Sequence, residues 1–172
     1  MLVEHNLVTG VVELFDIKST IDVALHLHPN TKQIFVIVDK TLSGTAVKKL
    51  VMKAIPYFKD TIKFTFMENL DMLEILERVK ELPHNSIVFL IHFTTDKSGN
   101  VSSLENSCAL ISRYCAVPVY SSTDAYLGQG IVGGMLVSGY AQGQAAGQVA
   151  LRILRGEEAN NIPVMKKAPA LT

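Results

Sequence analysis

"QIFVIVDKTLSGTAVKKLVMKAI", residues 33–55, changes periodicity halfway along. It opens with five consecutive apolar residues, Ile34 to Val38, and ends that run on Asp39; a strand without polar alternation is covered on both faces, as strands of parallel sheets are. From Thr45 apolar residues recur at Ala46/Val47, Leu50/Val51, Ala54/Ile55 and on to Phe58, the i, i+3/i+4, i+7 spacing of a helix with one face on a sheet. Pro56 has no N–H to donate and bends or ends it.

The same alternation repeats on either side. "TIKFTFM" (61–67), "SIVFLIHF" (86–93) and "VPVYSS" (117–122) are further β-rich runs. Helical patterns begin at Ser19 ("STIDVALHLH"), Leu70 ("LDMLEILERVKEL") and Ser102 ("SSLENSCALISRYCA"), and another spans Ser138 to Arg155, with Gly156 suited to its C-cap. A strand-like "LVTGVVE" (7–13) precedes the first helix and "NIPV" (161–164) follows the last. With right-handed crossovers this order predicts one α/β domain over residues 1–172, a three-layer sandwich with a mostly parallel sheet.

Composition narrows the function. The 172 residues are 48% apolar and 19% charged, an ordinary globular balance, and sixteen basic residues cancel sixteen acidic ones. No basic block supplies the footprint of a nucleic-acid binder. The longest apolar runs fall far short of the ~20 residues that cross a bilayer, so no direct membrane insertion is expected. Cys108 and Cys115 lie seven apart in a helical pattern, roughly 10 Å along the axis, which predicts two buried thiols and no disulfide between them. His5, His26, His28, His84 and His92 are scattered, with no metal-ligand spacing and no Ser–His–Asp arrangement. No catalytic residue, metal or cofactor is expected.

In open α/β sheets ligands bind beyond the carboxyl ends of the strands. The loops there are Asp39 to Thr45, Thr94 to Ser98 and Ser121 to Gly128. Ser43 and Gly44 stand just before a predicted helix, where the hydroxyl caps it or free N–H groups hold an anionic group. Thr95 and Asp96, and Ser121, Ser122, Thr123 and Asp124, are either ligand contacts or turn residues. Asp39 lacks the neighbouring acid that would help a phospho-receiver hold Mg²⁺.

Gly128-x-Gly130-x-x-Gly133 has the spacing of the dinucleotide fingerprint, within a segment that packs seven of the chain's eleven glycines into residues 128–147. The fingerprint needs a strand immediately before it and an acidic residue about 20 positions on, at the end of a second strand. Here five residues separate Ser122 from Gly128, and Glu157 and Glu158 follow a helix. Bend and clearance are the reading for Gly128 to Gly134; for Gly143, Ala145, Ala146, Gly147 and Ala150 the reading is close helix packing.

The ordered set "TGV" at Thr9, "LHPNTKQIFVI" at Leu27, "PVYSS" at Pro118, "GQGIVGG" at Gly128, the small-residue helix from Gly143 and "IPV" at Ile162 resembles the ABC-transporter substrate-binding proteins of the type I periplasmic-binding-protein superfamily. It is most similar to their variant in extracytoplasmic sensor domains of bacterial histidine kinases. The resemblance implies two Rossmann- or flavodoxin-like lobes around a cleft, of which this chain holds the second lobe plus C-terminal crossover segments, most of the first lobe being absent. It implies capture of a small polar molecule outside the cytoplasm, and closure of the lobes as the signal. It also makes Ser43, Gly44, Thr95, Asp96, Ser122, Thr123 and Asp124 the ligand contacts. Self-association into a homodimer through 1–15 and 126–172 is a further expectation. A ligand-free interaction module and a nucleotide-using α/β enzyme are the rival functions.

Overall fold

The protein was analysed as a computed structural model, which describes residues 8–166. His5 and the first residue of the "LVTGVVE" run lie outside the described residues. The chain divides into two units, Phe15–Leu136 and the pair of segments Met1–Leu14 with Val137–Thr172.

Within Phe15–Leu136 the order is α1 (Ile17–Leu27), β1 (Gln33–Val38), α2 (Leu42–Ala54), β2 (Lys63–Met67), α3 (Met72–Lys80), β3 (Ser86–His92), α4 (Leu104–Tyr114) and β4 (Val119–Tyr120). The strands form one parallel sheet in the order β2-β1-β3-β4. β1 therefore lies inside the sheet, and the chain leaves it first to one side and then to the other.

Alternate residues of these strands serve two cores. Ile34, Val36 and Val38 of β1 and Ile87, Phe89 and Ile91 beside them pack with Ile17, Ile21 and Ala24 of α1 and Val51 and Ala54 of α2. On the opposite face Ile37, Val88, Leu90 and Val119 pack with Ile75 and Val79 of α3 and Cys108 and Ile111 of α4. This is the three-layer α/β sandwich that the apolar runs predicted. β3 is buried at six of its seven positions because both faces carry helices. Both cysteines are free, and burial pushes the Cys108 thiol up from its ordinary pKa.

Within Phe15–Leu136 three elements depart from the sequence expectation. α2 begins at Leu42, since the Thr41 side chain accepts from Gly44 N and caps the helix, so Ser43 and Gly44 sit inside its first turn. β4 is only two residues long because the chain turns at Ser121 into a single 3-10 turn, Asp124–Tyr126. The glycine segment then returns to the sheet: Gly133 bridges Tyr120 in parallel, Val132 N donates to Val119 O at 2.8 Å, and Ser121 N donates to Gly133 O at 3.1 Å. Gly134 has φ +154°, and a Cβ there would lie 1.9 Å from Ser121 O, so no other residue fits.

In the second unit α5 (Gly139–Leu154) is capped by Ser138, whose side chain accepts from Ala141 N. Its C-terminus is closed as expected at Gly156 (φ +94°), with Gly156 N donating to Ile153 O and Glu157 N to Arg152 O, the paired bonds of a Schellman ending. The flanking segments meet through a parallel bridge of Val11 with Met165 and a bond from Thr9 Oγ1 to Ile162 O at 2.7 Å. The "NIPV" segment forms no strand; its first residue closes a 3-10 turn, Ala159–Asn161. α5 buries Ala141, Ala145 and Val149, whereas Gly143 and Gly147 face open space. Close packing therefore does not explain those two glycines among the described residues. No described helix is long and apolar enough to cross a membrane.

Candidate ligand site at the strand ends

Because the chain leaves β1 toward β2 and returns beyond it to β3, the loops after β1 and β3 diverge and leave a crevice at their carboxyl ends. Asp39 stands at its base. Its side chain is fully buried, and each oxygen is occupied. Oδ1 accepts from Thr41 N at 3.1 Å and Thr41 Oγ1 at 2.5 Å. Oδ2 accepts from Thr94 N at 2.7 Å, Thr94 Oγ1 at 3.1 Å and Thr95 N at 3.3 Å, and pairs with His92 Nδ1 at 3.1 Å.

Burial alone would push the Asp39 carboxyl up. The hydrogen bonds from Thr41 and Thr94, with His92 alongside, outweigh it and hold the pKa below the ordinary carboxylate value. An ionised carboxylate can only accept, so in the neutral imidazole the proton of this pair sits on His92 Nδ1. Asp39 thus ties the loop after β1 to the loop after β3. Gly44 permits this: a Cβ there would lie 2.2 Å from Asp39 Oδ1 and 2.6 Å from Asp39 O.

Above Asp39 opens a cavity of about 240 Å³. Its wall is built from all three loops that follow β1, β2 and β3, namely Asp39 to Thr41, Asn69 with Leu70, and Phe93 with Thr95 to Lys97. Two bonds join the second and third loops: Lys97 N donates to Leu70 O at 3.1 Å and Ser98 N to Asp71 Oδ1 at 2.9 Å. Asn69 turns the chain in the left-handed region, φ 56°, which asparagine tolerates better than most residues. The Asp96 carboxylate accepts from Asn100 N at 2.9 Å and Asn100 Nδ2 at 3.0 Å, and that side-chain bond first of all holds its pKa low.

The sequence-predicted contacts divide accordingly. Thr95 and Asp96 line the cavity. Ser43 and Gly44 do not: Ser43 is exposed on α2 and the Gly44 N–H is taken by Thr41. Ser122 is buried, with its hydroxyl 3.2 Å from Thr20 Oγ1, and Thr123 caps the following turn by accepting from Ala125 N. Asp124 opens that turn, away from the cavity lining. Lys40, Thr41, Asn69, Leu70, Phe93 and Lys97 were missed, as was Asp39 as their organiser. Asp39 was visible as the polar end of an apolar run, but apart from Thr41 its partners, His92, Thr94 and Thr95, lie at the end of a strand more than fifty residues away. Among the described residues no group of three or more His, Cys, Asp or Glu could hold a metal.

A family model described as ABC transporter substrate binding protein matches residues 3–170. No curated protein matches the sequence. Solved structures similar to this chain include a conserved domain protein of Vibrio cholerae O1 biovar eltor, at 18% identity and TM-score 0.65, covering 92% of this chain and 52% of that one. A ligand-free, open substrate binding protein with adhesive properties from Clostridium difficile matches at 17% identity and TM-score 0.65, with coverage of 92% and 52%. The ABC domain of a Streptococcus pneumonia protein in complex with L-Trp matches at 18% identity and TM-score 0.63, covering 93% and 54%. At these identities the likeness is one of fold, and the chain spans about half the length of each of the three.

Proposed function

The chain belongs to the ABC transporter substrate binding protein family, and from that premise we propose that it is the second lobe of a two-lobe binding protein that captures a small polar molecule in the cavity above Asp39. The observation that carries this reading is the cavity itself: three loops from the carboxyl ends of β1, β2 and β3 converge on one concave surface, held open by a buried carboxylate that spends all its bonds on the loops. That is where an open parallel sheet receives ligands.

The role is binding without catalysis. Asp39 and His92 form a hydrogen-bonded pair, but Asp39 is enclosed by protein donors, which suits a positioning group better than a reacting one. The occupant is a small metabolite; the similar Streptococcus domain holds L-Trp, which sets a size class. Thr95 and Asp96 are the sequence-predicted contacts that this reading retains. Capture would close a first lobe over the cavity and shift the population toward the closed form, outside the cytoplasm, either for uptake or as the sensor of an attached histidine kinase.

Calorimetry with a library of amino acids, sugars and organic ions, run on the two-lobe protein, tests this. Saturable heat with one chemical class, abolished by a bulky substitution such as Thr95→Trp, is the expected result. Absence of binding by every compound, with the cavity filled by side chains of the first lobe, would sink it.

A further inference from the structure

The cavity wall carries four ionised side chains, Asp39, Asp96, Lys40 and Lys97, and formal charge alone does not choose a ligand. Hydrogen-bonding capacity does. The two carboxylates are committed to the protein: Asp39 to Thr41, His92, Thr94 and Thr95, and Asp96 to Asn100 through two bonds. Asp39 is fully buried and has no room for a ligand's N–H or O–H donors, while the half-exposed Asp96 keeps acceptor capacity on each oxygen.

The donors are in the opposite state. Lys40 is exposed and pairs with no acidic group among the described residues. Lys97 has only a 3.9 Å approach to Glu74, the longest ion pair of the described residues. The Asn69 amide and the Thr95 hydroxyl donate to no described residue, although the Thr95 backbone N–H is used by Asp39. Two ammonium groups, an amide and a hydroxyl thus border one cavity with donors to spare, against one carboxylate, Asp96, that still has acceptor capacity. Leu70 and Phe93 add an apolar patch to the same wall.

Resting on the proposed binding role of this cavity, we infer that its ligand presents an anionic oxygen group, a carboxylate or a phosphate, to Lys40 and Lys97, with an apolar body against Leu70 and Phe93. An ammonium or guanidinium ligand would meet the unpaired cation of Lys40 and the loosely paired one of Lys97, and would find Asp96 as the one lining carboxylate with acceptor capacity left.

The test is a ¹H–¹⁵N NMR titration of the full chain at constant ionic strength with four probes that share a phenyl ring: phenylacetate, phenyl phosphate, benzylammonium and benzyl alcohol. Saturable shifts at the amides of Lys40, Asn69, Thr95 and Lys97 with phenylacetate or phenyl phosphate, and not with benzylammonium, are expected; which of the two binds more tightly separates carboxylate from phosphate. Lys40→Gln and Lys97→Gln should each weaken the anionic probe by about fivefold, the scale of an exposed charge pair, and leave benzyl alcohol unchanged. Tighter binding of benzylammonium or benzyl alcohol at these amides overturns the anion while leaving the cavity as a binding site. No response at these amides to any probe overturns both.

Discussion

Two places on the same carboxyl edge of the sheet solve the same problem in opposite ways. At the carboxyl ends of β1 and β3 the loops are joined through one buried carboxylate, Asp39, and the space above it stays open. At the end of β4 the loops are joined through one buried hydroxyl, Thr20, which donates to Asp16 O at 2.9 Å, accepts from Met135 N at 3.0 Å and meets Ser122 Oγ at 3.2 Å. There the space is filled by the chain's own backbone at Gly133 and Gly134. A charge with two oxygens can organise several donors at its rim and leave room beyond them. A hydroxyl shared by three partners draws them together and leaves none. Ser122 and Thr123 after β4 therefore bond within the fold, and Thr95 after β3 borders a cavity.

The contrast can be broken most severely at Gly134. In Gly134→Ala the new Cβ falls on Ser121 O, so the returning segment must lift off β4; a loss of about 4 kcal/mol in denaturant unfolding is expected, and a loss under about 1 kcal/mol would show that the filled end is loosely held. Asp39→Ala leaves buried donors of two loops without an acceptor and should cost about 3 kcal/mol. Its effect should fall with pH. The folded Asp39 has a pKa below the unfolded value of about 3.9, so its contribution is complete above that value and is lost as pH falls through the folded-state pKa. Unfolding of the wild type and Asp39→Ala compared at pH 7 and pH 2 checks the sign: the gap between them must narrow at pH 2.

Thr20→Val removes the shared hydroxyl at nearly constant volume, and about 1.5 kcal/mol is the expected loss, with the amide of Met135 becoming faster in hydrogen exchange. Gly133→Ala is the mildest change. Its Cβ would meet nothing within 4 Å, and only the positive φ opposes it, so about 1 kcal/mol is expected. Equal losses for Gly133→Ala and Gly134→Ala would mean that backbone strain, and not the clash with Ser121, sets the cost.

The layers of this fold were legible in the sequence because burial on both faces writes itself as unbroken apolar runs, as in Ile34 to Val38 and Ile87 to Ile91. The site was legible only as a set of loops. Thr95 and Asp96, which line the cavity, stood out in the sequence because they closely follow a strand that the pattern marked. Ser43 and Gly44 were placed one turn too early, since the capping residue is Thr41 and the cap is recognised by its bond to Gly44 N. Ser122 looked like a ligand contact because nothing near it in sequence reveals Thr20, which approaches from α1. Asp39 as organiser was hidden for the same reason: its donors at 92, 94 and 95 become neighbours only once the strand order is known.

The return of Val132 and Gly133 to β4 has a consequence for the protein in concentrated solution. A strand at the margin of a sheet offers unpaired amides and carbonyls to any other chain, and it is a common starting point for aggregation. Here that margin is taken by a short segment that ends on Gly133, and Gly133 and Gly134 hold φ values of +151° and +154°, a backbone that does not continue as a regular strand. The glycines that shape this end of the molecule also blunt it against addition of a foreign strand.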